Sequence, residues 1–156
     1  MGLWIWAVVG AVSLAGARPA HAQLTNTDKQ ALAQLALQWA VDGGIPDVKL
    51  LKDAPKLVVV DQNLPPRTEL HIAKRTVTLL PPIRVQVAAD MHSDFLYFRF
   101  GPIAGDKNHA TVPIALVWAV GVRSKAQYLS GGGTTLQFQQ RDGKWTLLPV
   151  NERWSS

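Results

Sequence analysis

The chain of 156 residues contains no cysteine. That excludes disulfides, thiolate metal sites, cysteine nucleophiles and lipoprotein acylation. No Lys or Arg precedes its first apolar run, so only the α-amino group supplies positive charge there. The paired arginines of twin-arginine export are missing, and Trp6 stands where N-myristoylation needs Ser or Thr. There is no Gly-rich loop leading to Lys-Ser/Thr and no Gly-x-Ser-x-Gly. Ser130-Gly131 has Tyr128 rather than glycine two residues before the serine, so it is not a nucleophile elbow. Acidic residues are few, 11 against 16 Lys and Arg, for a net charge of +5. The basic residues are scattered, with Lys74-Arg75 and Arg123-x-Lys125 the close pairs past the opening run. A nucleic-acid protein gathers them on one stripe, so no nucleic-acid partner is expected.

What is present begins with Leu3 to Ala17, 15 residues that are apolar or small apart from Ser13. Arg18-Pro19 breaks the run, and Ala20-His21-Ala22 supplies the small-x-small pattern read by a signal peptidase. The reading is a signal peptide over 1–22, cleaved before Gln23, and an exported protein in the periplasm or outside the cell. A retained anchor is the alternative, but a spanning helix needs about 20 apolar residues. No stable membrane insertion is expected after cleavage. The remaining 134 residues carry 15 basic and 11 acidic side chains. That length suits a single domain over 23–156 that buries a core without disulfides.

Leu24 to Val41 patterns as an amphipathic helix. Thr27 is the expected cap, with Gln30 as its capping-box partner, and Leu32, Leu35, Ala36 and Trp39 fall on one face. Asp42-Gly43-Gly44 stops it, glycine supplying a left-handed conformation. A helical turn is expected at Pro46–Leu51 and a buried strand at Leu57–Val60. Glu69 to Leu79 contains strand-forming residues interrupted by Lys74-Arg75. Pro82 to Met91 fits two periods. Ile83, Val85, Val87 and Ala89 alternate as in a strand, whereas the Pro81-Pro82 entry and the Ile83, Val87, Met91 spacing favour a short helix. A β-meander follows. Asp94–Gly101 and Thr111–Val122 are strands, the latter with apolar residues on both faces. Thr134–Gln140 and Lys144–Val150 form a hairpin whose Asp142-Gly143 suits a two-residue type I′ turn, pairing Gln140 with Trp145 and Phe138 with Leu147.

This order predicts an α+β domain, its N-terminal helix packed on a curved antiparallel sheet. The order, and the closing segment from Gly131-Gly132-Gly133 through Asp142-Gly143-Lys144-Trp145 to Trp154-Ser155, resemble the cone-shaped nuclear-transport-factor-2-like (cystatin-like) domains and the tails of small exported bacterial proteins. The resemblance covers nearly all of the mature chain and is one of architecture. It implies either a non-catalytic binding domain or an isomerase- or cyclase-like enzyme with a polar residue deep in the cone. No catalytic residue of those families maps onto a position here.

Asp90, His92 and Asp94 would share a side if extended, with Glu69 and His71 offering two more metal-type ligands by the same spacing. Zinc frameworks use other spacings, and a polar helix-to-strand corner accounts for the three residues equally. No metal and no cofactor is expected. Gly131-Gly132-Gly133 precedes a strand, not a helix, which fits a bulge or a close backbone approach. Asp61, Glu69, His71, Tyr97 and Tyr128 have the chemistry for acid–base work, and nothing in their spacing unites them. The mature tryptophans Trp39, Trp118 and Trp145 read as core. Trp154, near the C-terminus, either folds back or marks a contact surface.

These observations support a small exported binding or self-associating domain, with the isomerase- or cyclase-like enzyme as the alternative. The expected ligand or partner surface is Phe95, Tyr97 and Val117 on the second apolar sheet face, with Trp154. A homodimer through that face is the expected partner arrangement. A carboxylate or His buried between the long helix and the sheet would favour the enzyme instead.

Overall fold

The computed structural model describes residues 23–126 and 131–150 together with the backbone of Trp154 and Ser155. The expected signal segment 1–22, with its cleavage point, and Tyr128 and Ser130 lie outside the described residues.

Helix α1 spans Asn26–Trp39. Its cap is Thr25, not Thr27. The Thr25 hydroxyl accepts from the Asp28 amide at 3.1 Å, and the Asp28 carboxylate accepts from the Thr25 amide at 3.1 Å and from its hydroxyl at 2.6 Å. The start moves two residues earlier because Leu24 is itself buried, which pins the chain to the core immediately before the cap. The buried face is Leu32, Ala33, Ala36 and Leu37. Leu35 is exposed instead, and Trp39 is partly buried against the core, where it lies over Gly44. A wider helical turn, Ala40–Gly44, follows and ends where Gly43 adopts φ 101°, the left-handed conformation expected of it. A 3₁₀ turn at Pro46–Leu51 completes the entry to the sheet.

The strands are β1 (Lys56–Val60), β2 (Thr76–Leu80), β3 (Phe95–Phe100), β4 (Ala104–Gly105), β5 (His109–Ala119), β6 (Gly132–Arg141), β7 (Lys144–Leu147) and β8 (Trp154–Ser155). They form one curled sheet in the order β2-β1-β3-β5-β6-β7, with β4 on β5 and β8 on β6. From β3 through β7 every pairing is antiparallel. The Asp142-Gly143 hairpin has the expected register, Gln140 opposite Trp145 and Phe138 opposite Leu147. Both turn residues have positive φ, 50° and 74°, as a type I′ turn requires. The fold class is the α+β arrangement read from the sequence, but the sheet is mixed: β1 runs parallel to both of its neighbours, β2 and β3.

That parallel edge has a structural consequence. Strands β2 and β3 point the same way on either side of β1, so the chain between them must cross a face of the sheet. Helix α2 (Pro82–Met91) makes this crossing. The Asp61–Arg75 link between β1 and β2 instead runs on the α1 side, burying Leu70 and Ile72 in the main core. Glu69–Leu79 is therefore not one strand. The chain turns at Ile72–Arg75 with Lys74 at φ 62°, and only Thr76–Leu80 pairs.

The main core lies between α1 and one face of the sheet. Leu32 and Leu37 meet Leu57, Val59, Leu96, Phe98, Phe100, Val112, Leu116, Leu136 and Phe138 there, and Trp118 and Trp145 pack at its margin. Each fully buried Leu or Phe contributes about 1.5–3 kcal/mol relative to exposure. Asp28 ties this layer together, because its other oxygen accepts from the Trp145 indole at 3.3 Å, 117 residues along the chain. Its carboxyl is held below the ordinary value chiefly by the Thr25 hydroxyl, against some burial, with the Thr25 amide and the Trp145 indole adding to the effect. A depressed carboxylate stabilises the fold above the ordinary carboxylate range, and that contribution disappears as pH falls through its folded pKa. Asp28→Ala is expected to cost about 1 kcal/mol at neutral pH. The difference from wild type should shrink in acid, read from urea midpoints at the two pH values.

Candidate binding face on the second side of the sheet

Alternation along β3 and β5 puts Leu96, Phe98, Phe100, Val112, Ile114 and Leu116 towards α1, which leaves Phe95, Tyr97, Ala115, Val117 and Ala119 on the opposite face. The second face is apolar too, and α2 crosses it. Val85 and Ala89 are the buried side of α2, packed with Val60 and Ala119 and bordered by Leu80, Phe95 and Tyr97. The rings of Phe95 and Tyr97 meet edge to face, with centroids 6.3 Å apart.

Of the two periods that Pro82–Met91 fits, the helical one is realised with those limits, and the Ile83, Val87, Met91 face is outermost. Ile83 is 77% exposed, Met91 72% and Val87 39%. At 100° per residue Val85 and Ala89 centre on the side opposite Val87, so Ile83, Val87 and Met91 run along the crest. Val85 and Ala89 are the buried residues of α2, which lies close to the loop after β5. A Cβ at Gly121 would sit 2.6 Å from the Ala89 carbonyl oxygen.

That loop is strapped to α2 by side chains first considered as metal ligands. Asp90 Oδ1 accepts from the Val122 amide at 2.7 Å and from Gln86 Nε2 at 2.9 Å. Gln86 Nε2 also donates to the Val120 carbonyl at 2.9 Å. Asp94 Oδ1 accepts from the Gly121 amide at 2.8 Å, while its Oδ2 accepts a short hydrogen bond from the Ser124 hydroxyl. The polar-corner alternative for Asp90-x-His92-x-Asp94 is therefore the one realised. Asp90 is helical, His92 ends the helix and is exposed, and only Asp94 leads into a strand, so the alternation that would have aligned them does not occur. Among the described residues no three His, Asp or Glu side chains gather as a metal group would require. The strap also holds the backbone of Val122, whose side chain is 80% exposed, at Asp90, next to Met91 at the end of α2.

Of the predicted surface residues, Phe95, Tyr97 and Val117 are half-buried. Phe95 and Tyr97 contact the α2 layer and Val117 pairs with Tyr97, so the sheet face is not bare. The exposed apolar area lies one layer further out, on the helix. Trp154 is not on a free end, since its backbone pairs with Gly133 and that of Ser155 with Gly132. Gly132 and Gly133 therefore open β6, with β5 on one side and β8 on the other, so the run leads into a strand and not the helix N-terminus of a phosphate loop.

The remaining candidates stay apart. Glu69 and His71 approach to 3.8 Å, but both side chains are about four-fifths exposed, at 78% and 82%. They line an open groove of about 430 Å³ beside the start of α1, where Gln34 binds the His71 backbone at both its amide and its carbonyl. Asp61 is exposed at the end of β1. Between α1 and the sheet, Thr68 and Thr134 are the buried polar residues among those described, and the lining is otherwise aliphatic and aromatic. Comparison with protein-family models, curated proteins and solved structures finds no match for the chain.

Loss of the strap should loosen α2 without disturbing the main core. Asp94→Ala leaves the half-buried Gly121 amide without that acceptor, an expected cost of about 1–3 kcal/mol. Amide hydrogen exchange should speed up at Gly121 and Val122 and stay unchanged in β5 and β6.

Proposed function

We propose that this chain is an exported, non-catalytic binding or self-associating domain whose working surface is the outer face of α2 with the adjoining loop. The observation that carries this reading is the apolar crest Ile83–Val87–Met91 with Val122 beside it. Single exposed apolar side chains are common, but four aligned on one helix–loop unit make a patch of the kind that marks contact sites. The helix needs only Val85 and Ala89 to cover the sheet, so its crest residues are not used by the fold itself.

Export rests on the opening apolar run and its small-x-small end. The kinship with nuclear-transport-factor-2-like domains rests on one long helix against a curled sheet and remains a likeness of architecture. A cyclase- or isomerase-like mechanism needs a titratable group in a dry pocket. The interior under α1 is packed with Leu, Phe and Val, which favours binding over catalysis.

The double variant Ile83→Ser with Met91→Ser tests the surface. Both positions are exposed, so stability should change by no more than about 0.5 kcal/mol per site. Binding of an apolar fluorescent dye to the folded protein should fall clearly. Unchanged dye binding at unchanged stability would overturn the assignment of this face.

A further inference from the structure

The charge around the crest narrows what it binds, given that the α2 surface is the working face. Arg84 follows Ile83 on α2, and Arg123 and Lys125 follow Val122 in the strapped loop; all three are exposed. Strand alternation adds Lys56 on β1 and Arg99 on β3, both exposed on the α2 side of the sheet. The carboxylates nearby are fewer: Asp90 and Asp94, bound to the amides of Val122 and Gly121, and exposed Asp61, whose amide donates to the Leu80 carbonyl just ahead of α2. Among the described residues no strand contains an Asp or Glu. The face is thus an apolar ridge among five cations and three carboxylates, with a net positive charge.

We propose that α2 docks in the plane of an anionic lipid bilayer, with Ile83, Val87, Met91 and Val122 entering the headgroup boundary and the surrounding Arg and Lys meeting lipid phosphates. An amphipathic helix lying at the interface combines apolar burial with attraction to anionic lipid in this way. A second copy of the chain fits less well. A two-fold contact brings the same patch of each subunit together, so the five cations of one copy would face the five of the other. Docking of this kind is peripheral. Among the described residues no helix is long and apolar enough to cross a membrane.

The absence of native cysteine allows a positional test in the full chain. Met91→Cys carries a nitrobenzoxadiazole label on the crest, and Lys49→Cys carries the same label in the 3₁₀ turn on the α1 side. With equimolar phosphatidylglycerol–phosphatidylcholine vesicles, the Met91 label should brighten and shift to shorter wavelength while the Lys49 label stays unchanged. Because the label reports its own surroundings, membrane attachment through residues 1–22 alone would not produce this pattern. Arg84→Gln and Arg123→Gln should each weaken the response by about fivefold, and raising salt from about 0.1 M to about 0.5 M should weaken it further.

No response, an equal response at both positions, or an equal response to pure phosphatidylcholine would overturn the proposal. A Met91 response to added unlabelled protein without vesicles, and none to vesicles, would assign the face to a second copy. It would overturn lipid docking while leaving the binding face in place. No response to either, together with dye binding unaffected by the serine substitutions, would remove both readings.

Discussion

A sheet with two apolar faces needs two covers, and this requirement organises the molecule. Over Phe95–Phe98 of β3 and Ile114–Ala119 of β5 the side chains are apolar in both phases, so both faces need cover there. The long helix α1 closes one side. The other is closed by α2, which crosses because β2 and β3 are parallel strands on opposite sides of β1. Chain direction at one edge of the sheet thus decides where the second helix lies. Covering that face brings an apolar crest to the surface, because a helix this short buries only the side it turns to the sheet.

Polar groups hold this layer at specific points. α2 is marginal as an isolated helix at 10 residues, well below the length at which helices form alone in water. Its position is set by Asp90 and Gln86 on the helix and by Asp94 just after it, gripping the backbone at Val120, Gly121 and Val122. Gly121 permits the close approach, since any side chain there would strike the Ala89 carbonyl. The same contacts that seat the helix fix the backbone at Val122, which leads into Arg123 and Lys125. Packing and surface character are therefore coupled: loosening the strap would separate the two halves of the candidate binding face.

Much of the fold was legible locally. The Asp142-Gly143 register, the glycine stop after α1 and the α+β class follow from turn chemistry and periodicity, which act over a few residues, whereas Pro82–Met91 fits both a strand and a helix period and only the fold selects the helix. The cap at Thr25 was missed because both Thr25-x-x-Asp28 and Thr27-x-x-Gln30 fit the local pattern, and burial of Leu24 chooses between them. Which face of α2 turns outward is not legible locally for a related reason. Ile83, Val87 and Met91 have the spacing of a buried stripe, and Val85 and Ala89 have one nearly as good. Hydrophobicity favours the first set, whereas close approach to the sheet and to Gly121 favours the smaller second set.

The sequence by itself determined the absence of thiol chemistry, the positive charge, the helical and strand periods and the tight hairpin, because each is a property of composition or of neighbours along the chain. Tertiary structure alone decided that Asp90 and Asp94 clasp the loop after β5, that Phe95, Tyr97 and Val117 are half-covered, and that Ile83, Val87, Met91 and Val122 stand exposed on the same helix–loop unit. Those outcomes join residues about 30 positions apart. They depend on which strands run parallel, and no local pattern carries that information.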